Sequence, residues 1–125
     1  MHKFRSQFEA FVAARLKDSG FKYSYEAVRI PFVQPEIKRG YTPDFYLPEK
    51  GYYLEAKGIF TAKDRKKHIW IKEQYPSLDL RFVFQNAKLP IRRGSKTTCA
   101  DWCDKHGFKW CHKVLPSDWI NASAP

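Results

Sequence analysis

The chain has 125 residues, 43% apolar and 17% aromatic, enough for one compact domain with a real core and too few for two comfortable ones. Lys and Arg number 23 against 13 Asp and Glu, a formal net charge of +10 that points to a polyanionic partner: DNA, RNA or an anionic membrane surface. No apolar run approaches the ~20 residues that span a bilayer, the opening MHKFRSQFEAF lacks the apolar stretch of a signal peptide, and three cysteines cannot all pair within one chain, so free thiols in a reducing, intracellular setting are expected.

Phe4, Phe8, Phe11, Val12 and Leu16 recur at helical spacing and predict a first helix over residues 6–19, ended by Gly20. Glu9 falls at the edge of that apolar stripe, from where it can reach a cleft beside the core. Residues 21–32 alternate as a strand, and Pro31, Pro35 and Gly40 bound an irregular stretch at 31–40 that reads as a linker or extended bridge. Residues 41–47 and 52–57 read as two strands joined by the tight turn Pro48-Glu49-Lys50-Gly51. Thr61-x-x-Asp64 is a capping box for a helix that ends before Pro76, and Leu80, Phe82 and Phe84 alternate as a strand. A basic loop over 88–96 leads to a short helix capped by Thr97 or Thr98 and stopped at Gly107, then a candidate strand over 108–115 and a turn at 116–119. The predicted order is helix, three strands, helix, strand, helix, strand: a single mixed α/β domain over residues 1–125.

The chemistry concentrates in YTPDFYLPEKGYYLEAKG. Residues two apart on a strand share a face, so Glu55 and Lys57 point the same way. A turn centred between Glu49 and Lys50 sets position 44 opposite 55, which gathers Asp44, Glu55 and Lys57 on one face. Carboxylates that close repel each other unless a cation lies between them, and hard oxygen donors favour Mg²⁺ or Mn²⁺. Such an ion activates water and neutralises charge on a phosphodiester. Lys57 has three roles open to it: orienting the water, stabilising the developing charge, or assisting proton transfer. The alternative is an ordinary surface ion pair, but the triplet lies among Tyr, Phe and Leu, where apolar residues are expected, and local rules break at functional sites.

Residues 57–72, KGIFTAKDRKKHIWIK, carry six Lys or Arg against one Asp. Lys63, Arg65, Lys66 and Lys67 there, with Arg5, Arg92, Arg93 and Lys96, form a candidate phosphate-binding set, as against a merely solvated charged face. His68 reads as structural. Cys99, Cys103, His106, Cys111 and His112 are zinc-ligand types, yet C-x3-C-x2-H-x4-C-H fits no compact zinc signature; packed thiols and no zinc are expected. Trp70, Trp102, Trp110 and Trp119 read as core.

The pattern P-D…E-x-K resembles that of the restriction-endonuclease-like nuclease superfamily. The longer strings FRSQFEAFVAARL, YTPDFYLP, LEAKGIF, DRKKHIWIKEQYPSLDLRFVF, CDKHGFKW and LPSDWI resemble, in order and over residues 4–120, the endonuclease I family of short-tailed T-odd bacteriophages, which resolves four-way (Holliday) DNA junctions. The resemblance implies a restriction-endonuclease-like mixed sheet flanked by helices and a Mg²⁺-dependent, structure-selective endodeoxyribonuclease, with Mn²⁺ as a substitute ion, acting in the host cytoplasm. It implies Glu9, Asp44 and Glu55 as metal ligands, the Ala56 carbonyl as a further donor, and Lys57 as the catalytic lysine. It also implies an intertwined homodimer in which residues 31–40 bridge the subunits, so that Glu9 of one subunit joins Asp44, Glu55 and Lys57 of the other. A nonspecific or sequence-specific nuclease of the same superfamily, or a non-catalytic DNA-binding module, are the rival readings.

Overall fold

Ser6 opens the first helix because its hydroxyl accepts the N–H of Glu9 at 3.0 Å, satisfying a donor that every helix start leaves orphaned. In the computed structural model, which describes residues 4–34 and 37–121, α1 (Gln7–Asp18) turns Val12, Ala13 and Leu16 inward. Gly20 ends it with a φ of +79°, a left-handed turn that costs glycine little.

The expected single strand over 21–32 is two pieces, β1 (Ser24–Tyr25) and β2 (Ile30–Gln34). Glu26 separates them, its φ of +50° turning the chain out of extended geometry. The stretch 31–40, expected as an irregular bridge, is largely strand instead. Within one chain β2 pairs antiparallel with β3 (Ile37–Tyr41), from Ile30↔Tyr41 to Gln34↔Ile37; residues 35–36 lie outside the described residues. Pro31 permits this because β2 has a strand partner on one side only, and an edge tolerates a residue without an N–H. The other side of β2 is held by the Gln74 side-chain amide, which donates to the Val33 carbonyl and accepts the Val33 N–H.

The strand expected over 41–47 also divides. β3 stops at Tyr41, and β4 (Phe45–Leu47) starts after Thr42-Pro43-Asp44, where Pro43 has no N–H for a ladder. The turn at 48–51, with Gly51 at φ +75°, leads to β5 (Tyr52–Lys57). Pairings Phe45↔Leu54 and Leu47↔Tyr52 give the expected register.

Thr61 caps α2 (Ala62–Gln74) by accepting the Asp64 N–H at 3.1 Å, but the expected reciprocal half of the box is missing: the Asp64 carboxylate lies 3.5 Å from Lys57 Nζ. β6 (Leu80–Phe84) then runs parallel to β5, α3 (Cys99–His106) follows the basic loop, and β7 (Lys109–His112) runs parallel to β6. Lys113, at φ +63°, ends β7 short of the expected 115, and the expected final turn is the short helix α4 (Ser117–Asn121).

The result is a mixed five-stranded sheet in the order β1-β4-β5-β6-β7, with a separate β2–β3 ribbon. Period-two alternation on β6 sends Leu80, Phe82 and Phe84 to one face, where Phe60, Ile71, Trp102 and Phe108 cover them. Val83 goes to the other face, with Leu16, Phe45, Leu54 and Trp119. Burial on both faces explains why β6 reads as a near-continuous apolar run.

The helix α3 has a complete capping box: Thr98 Oγ1 accepts the Asp101 N–H at 3.0 Å and Asp101 Oδ2 accepts the Thr98 N–H at 3.1 Å. Thr98→Ala is expected to lower the unfolding free energy by about 1 kcal/mol with an unchanged urea m-value, checked by equilibrium urea unfolding.

Candidate active site

The β4–β5 register carries Asp44 up to Glu55. The Asp44 N–H donates to Glu55 Oε1 at 3.3 Å, and the Ala56 N–H donates to Asp44 Oδ2 at 2.9 Å. Glu55 points from β5 into the protein and is 5% exposed. Its Oε1 also accepts the Tyr41 hydroxyl at 2.6 Å, and its Oε2 lies 3.4 Å from Lys57 Nζ. Lys57 is shared with Asp64 at 3.5 Å, so one ammonium bridges a strand carboxylate and a helix carboxylate.

Glu9 reaches the same place from α1. Its Oε1 accepts the Tyr25 hydroxyl at 2.6 Å and the Arg5 N–H at 3.0 Å, and its carboxylate lines the same cavity as Asp44. Arg5, expected among the phosphate contacts, pairs through its guanidinium with Glu26 at 2.9 Å. A cavity of about 400 Å³ is lined by Arg5, Glu9, Glu26, Asp44, Glu55, Ala56, Lys57 and Lys67. The four residues Glu9, Asp44, Glu55 and Lys57 therefore meet within a single chain.

This crowding has an electrostatic consequence. Burial, then the Glu55 and Glu9 charges, push the Asp44 carboxyl up to about 9, so without a cation it carries a proton at neutral pH. For Lys57, burial alone would favour the neutral amine, but the Glu55, Asp64 and Asp44 charges outweigh it and hold the ammonium above its ordinary range. Burial, followed by the Glu55 charge, raises the Tyr41 phenol well above its ordinary range, which keeps it a donor.

Among the described residues, no three His, Cys, Asp or Glu side chains form a ready-made metal cage. The donor set nevertheless suits a hard cation that keeps most of its water. Magnesium is ordinarily held by one or two carboxylates, with waters and substrate oxygens filling the rest of the shell. Glu9, Asp44 and Glu55 offer carboxylate oxygens around one cavity, and the protonated Asp44 marks where a positive charge would be welcome.

The basic residues divide. Lys63, Lys66 and Lys67 line, with Phe32, Arg39 and Trp70, a second cavity of about 690 Å³ between α2 and the β2–β3 ribbon, and Lys67 borders the acidic cavity too. Arg65, expected beside them as a phosphate contact, turns inward, its Nη1 donating to the Phe60 and Ile91 carbonyls at 2.6 and 2.7 Å. Alternate helix faces explain the split, since a residue between outward-facing lysines must point elsewhere. Arg92, Arg93 and Lys96 are exposed on the loop before α3.

His68 is fully buried among Tyr41, Phe60, Phe82 and Phe108, and burial holds it neutral. Cys99 and Cys103 pack in one core cluster and Cys111 in the other, all as free thiols. Trp102 and Trp119 are core; Trp70 and Trp110 are half-buried. Sequence reasoning missed Tyr25, Tyr41 and Glu26 at the site. The phenols read as ordinary strand aromatics, and nothing in the chain announced the left-handed turn at Glu26. Asp64 was visible only as a cap.

A carboxyl whose folded pKa lies above its unfolded value loses stability as pH climbs between the two, because the folded state is then the one that still binds the proton. Metal-free Asp44→Asn is therefore expected to be more stable than the parent at pH 8, by roughly 4 °C or more in Tm, with the gap closing as pH falls toward 4. Calorimetry across pH with EDTA, repeated with Mg²⁺, checks both the sign and the window.

The chain matches the family model described as phage endonuclease I over residues 1–124. It is 43% identical to Endonuclease I of Escherichia phage T7 over 117 residues, covering 94% of this chain and 78% of that protein. It is 45% identical to Endodeoxyribonuclease 1 of Enterobacteria phage T3 over 113 residues, covering 90% of this chain and 74% of that one. Coverage this broad takes in α1 as well as the β4–β5 hairpin, and with them every residue of the acidic cavity; the chain belongs to the phage endonuclease I family.

Proposed function

We propose that this protein is a Mg²⁺-dependent, structure-selective endodeoxyribonuclease that hydrolyses phosphodiesters in branched DNA, four-way junctions foremost. The observation that carries this reading is the meeting of Glu9, Asp44, Glu55 and Lys57 in one cavity of a chain with a net charge of +10. An acid at the entry to β4 facing Glu-x-Lys on the paired strand supports a restriction-endonuclease-like core, and the relatives' printed names support DNA as substrate.

Glu9, Asp44 and Glu55, with the Ala56 carbonyl, would hold the ion, Mg²⁺ or in its place Mn²⁺. When bound, it supplies Lewis-acid activation of a water and counter-charge for the phosphate. The chain's own residues do the rest. Lys57, locked between Glu55 and Asp64, stabilises negative charge that grows on the scissile phosphate from a fixed position, at no cost of reorientation during the reaction. Lys63, Lys66 and Lys67 hold neighbouring phosphates. Backbone contacts carry no base information, so selection follows the shape of the branch and the position of its phosphates.

We further infer a homodimer, because paired cuts in two strands suit a two-fold assembly with two sites. Strands β2 and β3 make the same pairing whether the ribbon closes within one chain or opens to exchange α1 and β1 with a partner, so an intertwined dimer would preserve the cavity. Among the described residues no helix is long and apolar enough to cross a membrane, and action in the host cytoplasm suits a phage-encoded nuclease.

The deciding experiment compares a labelled four-way junction with a linear duplex of the same arms, with Mg²⁺ and with EDTA. Paired cuts near the branch, present only with the metal, are expected; equal cleavage of both substrates would leave a nonspecific nuclease, and tight binding without cleavage a DNA-binding module. Lys57→Ala is expected to slow cleavage by about 10²-fold or more while junction binding persists. In binding measured across salt, single Lys63→Ala, Lys66→Ala and Lys67→Ala changes should each lower the log–log salt slope by about 1. Arg65→Ala should leave the slope unchanged and cost stability instead.

A further inference from the structure

Two phenols hold two of the three carboxylates. The Tyr25 hydroxyl donates to Glu9 Oε1 and the Tyr41 hydroxyl to Glu55 Oε1, both at 2.6 Å. That is the short range expected when a hydroxyl serves an ionised oxygen. Neither contact is local: β1 meets α1 in one, and the end of β3 meets β5 in the other. The fold thus spends an element from each side of the cavity on one carboxylate oxygen.

The terminal torsion of a glutamate is broad and two-fold, so an untethered carboxylate turns freely. A phenol has one proton to donate. Fixing Oε1 with it sets the plane of the carboxylate and leaves Oε2 for another partner. At Glu55 that oxygen lies beside Lys57 Nζ at 3.4 Å, already facing the cavity where the reaction is placed. Both rings are also packed: Tyr25 against Phe4 and Phe45 with centroids at 4.6 and 5.5 Å, and Tyr41 against His68 at 5.2 Å. Ring packing anchors each hydroxyl, so its position does not depend on the glutamate it serves.

Resting on the metal-dependent reading above, we propose that Tyr25 and Tyr41 are positioning residues that orient Glu9 and Glu55 for the divalent ion, acting through those glutamates. Outer partners of this kind ordinarily contribute 10–100-fold to metal affinity or activity (about one to two decades). The two sites differ in what remains after the hydroxyl is lost. Among the described residues, Glu9 Oε1 keeps the Arg5 N–H at 3.0 Å, whereas Glu55 Oε1 keeps the longer Asp44 N–H at 3.3 Å, deep in the protein with Tyr41 3% exposed. Tyr41 therefore carries the larger share.

The test is isothermal titration of EDTA-stripped protein with Mn²⁺ for the parent, Tyr25→Phe and Tyr41→Phe, which keep the rings and remove only the hydroxyls. Alongside it run metal-free thermal unfolding and four-way junction binding in EDTA. The expected result is Mn²⁺ affinity weakened roughly 10-fold in Tyr25→Phe and up to about 100-fold in Tyr41→Phe, with metal-free junction binding retained. Unchanged Mn²⁺ affinity in a variant would remove that tyrosine from the role. Loss of junction binding in parallel with loss of metal affinity would make the phenols merely structural and overturn the proposal. A parent protein that binds no Mn²⁺ would instead overturn the metal-dependent reading itself, and this inference with it.

Discussion

Repulsion among carboxylates held in one half-buried cavity is the constraint around which this protein is organised. Glu9, Asp44 and Glu55 come from a helix, a strand entry and a strand interior, and each would be better solvated elsewhere. The chain confines them by supplying donors one by one: the Ala56 N–H to Asp44, the Tyr41 hydroxyl to Glu55, and the Tyr25 hydroxyl and Arg5 N–H to Glu9. Among the described residues Lys57 is the cation paired with Glu55, and burial together with the unresolved repulsion raises the pKa of Asp44. A site poised in this way favours added positive charge, which is what the proposed metal-dependent reading calls for.

Helix caps show how the rest of the chain yields to that demand. Three helices begin with a hydroxyl cap followed three residues later by an acid: Ser6 and Glu9, Thr61 and Asp64, Thr98 and Asp101. Only the third closes the reciprocal box. In the other two the acid's N–H is still capped, but its carboxylate turns away from the cap, Glu9 toward Tyr25 in the acidic cavity and Asp64 toward Lys57 beside it. Half of a local stabilising motif is given up twice, and both times the gain is a charge at the site. Departure from local rules is what functional positions are expected to show.

The positive charge is likewise sorted by structure. α2 follows β5 directly, so the lysines of its outer face come to stand next to the acidic cavity without any long-range arrangement. Arg65 in their midst ties the Phe60 and Ile91 carbonyls together and thereby anchors the loop that bears Arg92, Arg93 and Lys96. A net charge says that a polyanion is the partner; it does not say which cations are free to meet it.

Much was determined by the amino-acid sequence alone, wherever the physics is local. Helix starts at hydroxyl caps and the stop at Gly107 follow from short-range hydrogen bonding and backbone sterics. The pairing of Asp44 with Glu55 follows from the length of one turn, and Glu55 and Lys57 share a face because strands have period two. The places where the sequence misled are those where distant elements decide. Ile30–Gln34 and Ile37–Tyr41 pair as a ribbon whose outer edge the Gln74 side chain of α2 holds; Glu26 is left-handed between β1 and β2; Arg65 turns inward because two carbonyls await it. The delivery of Glu9 to Asp44 and the tyrosine donors are likewise tertiary facts. A phenol 16 residues from one glutamate or 14 from another leaves no periodic trace, because its partner is chosen by how helix and sheet pack and not by spacing along the chain.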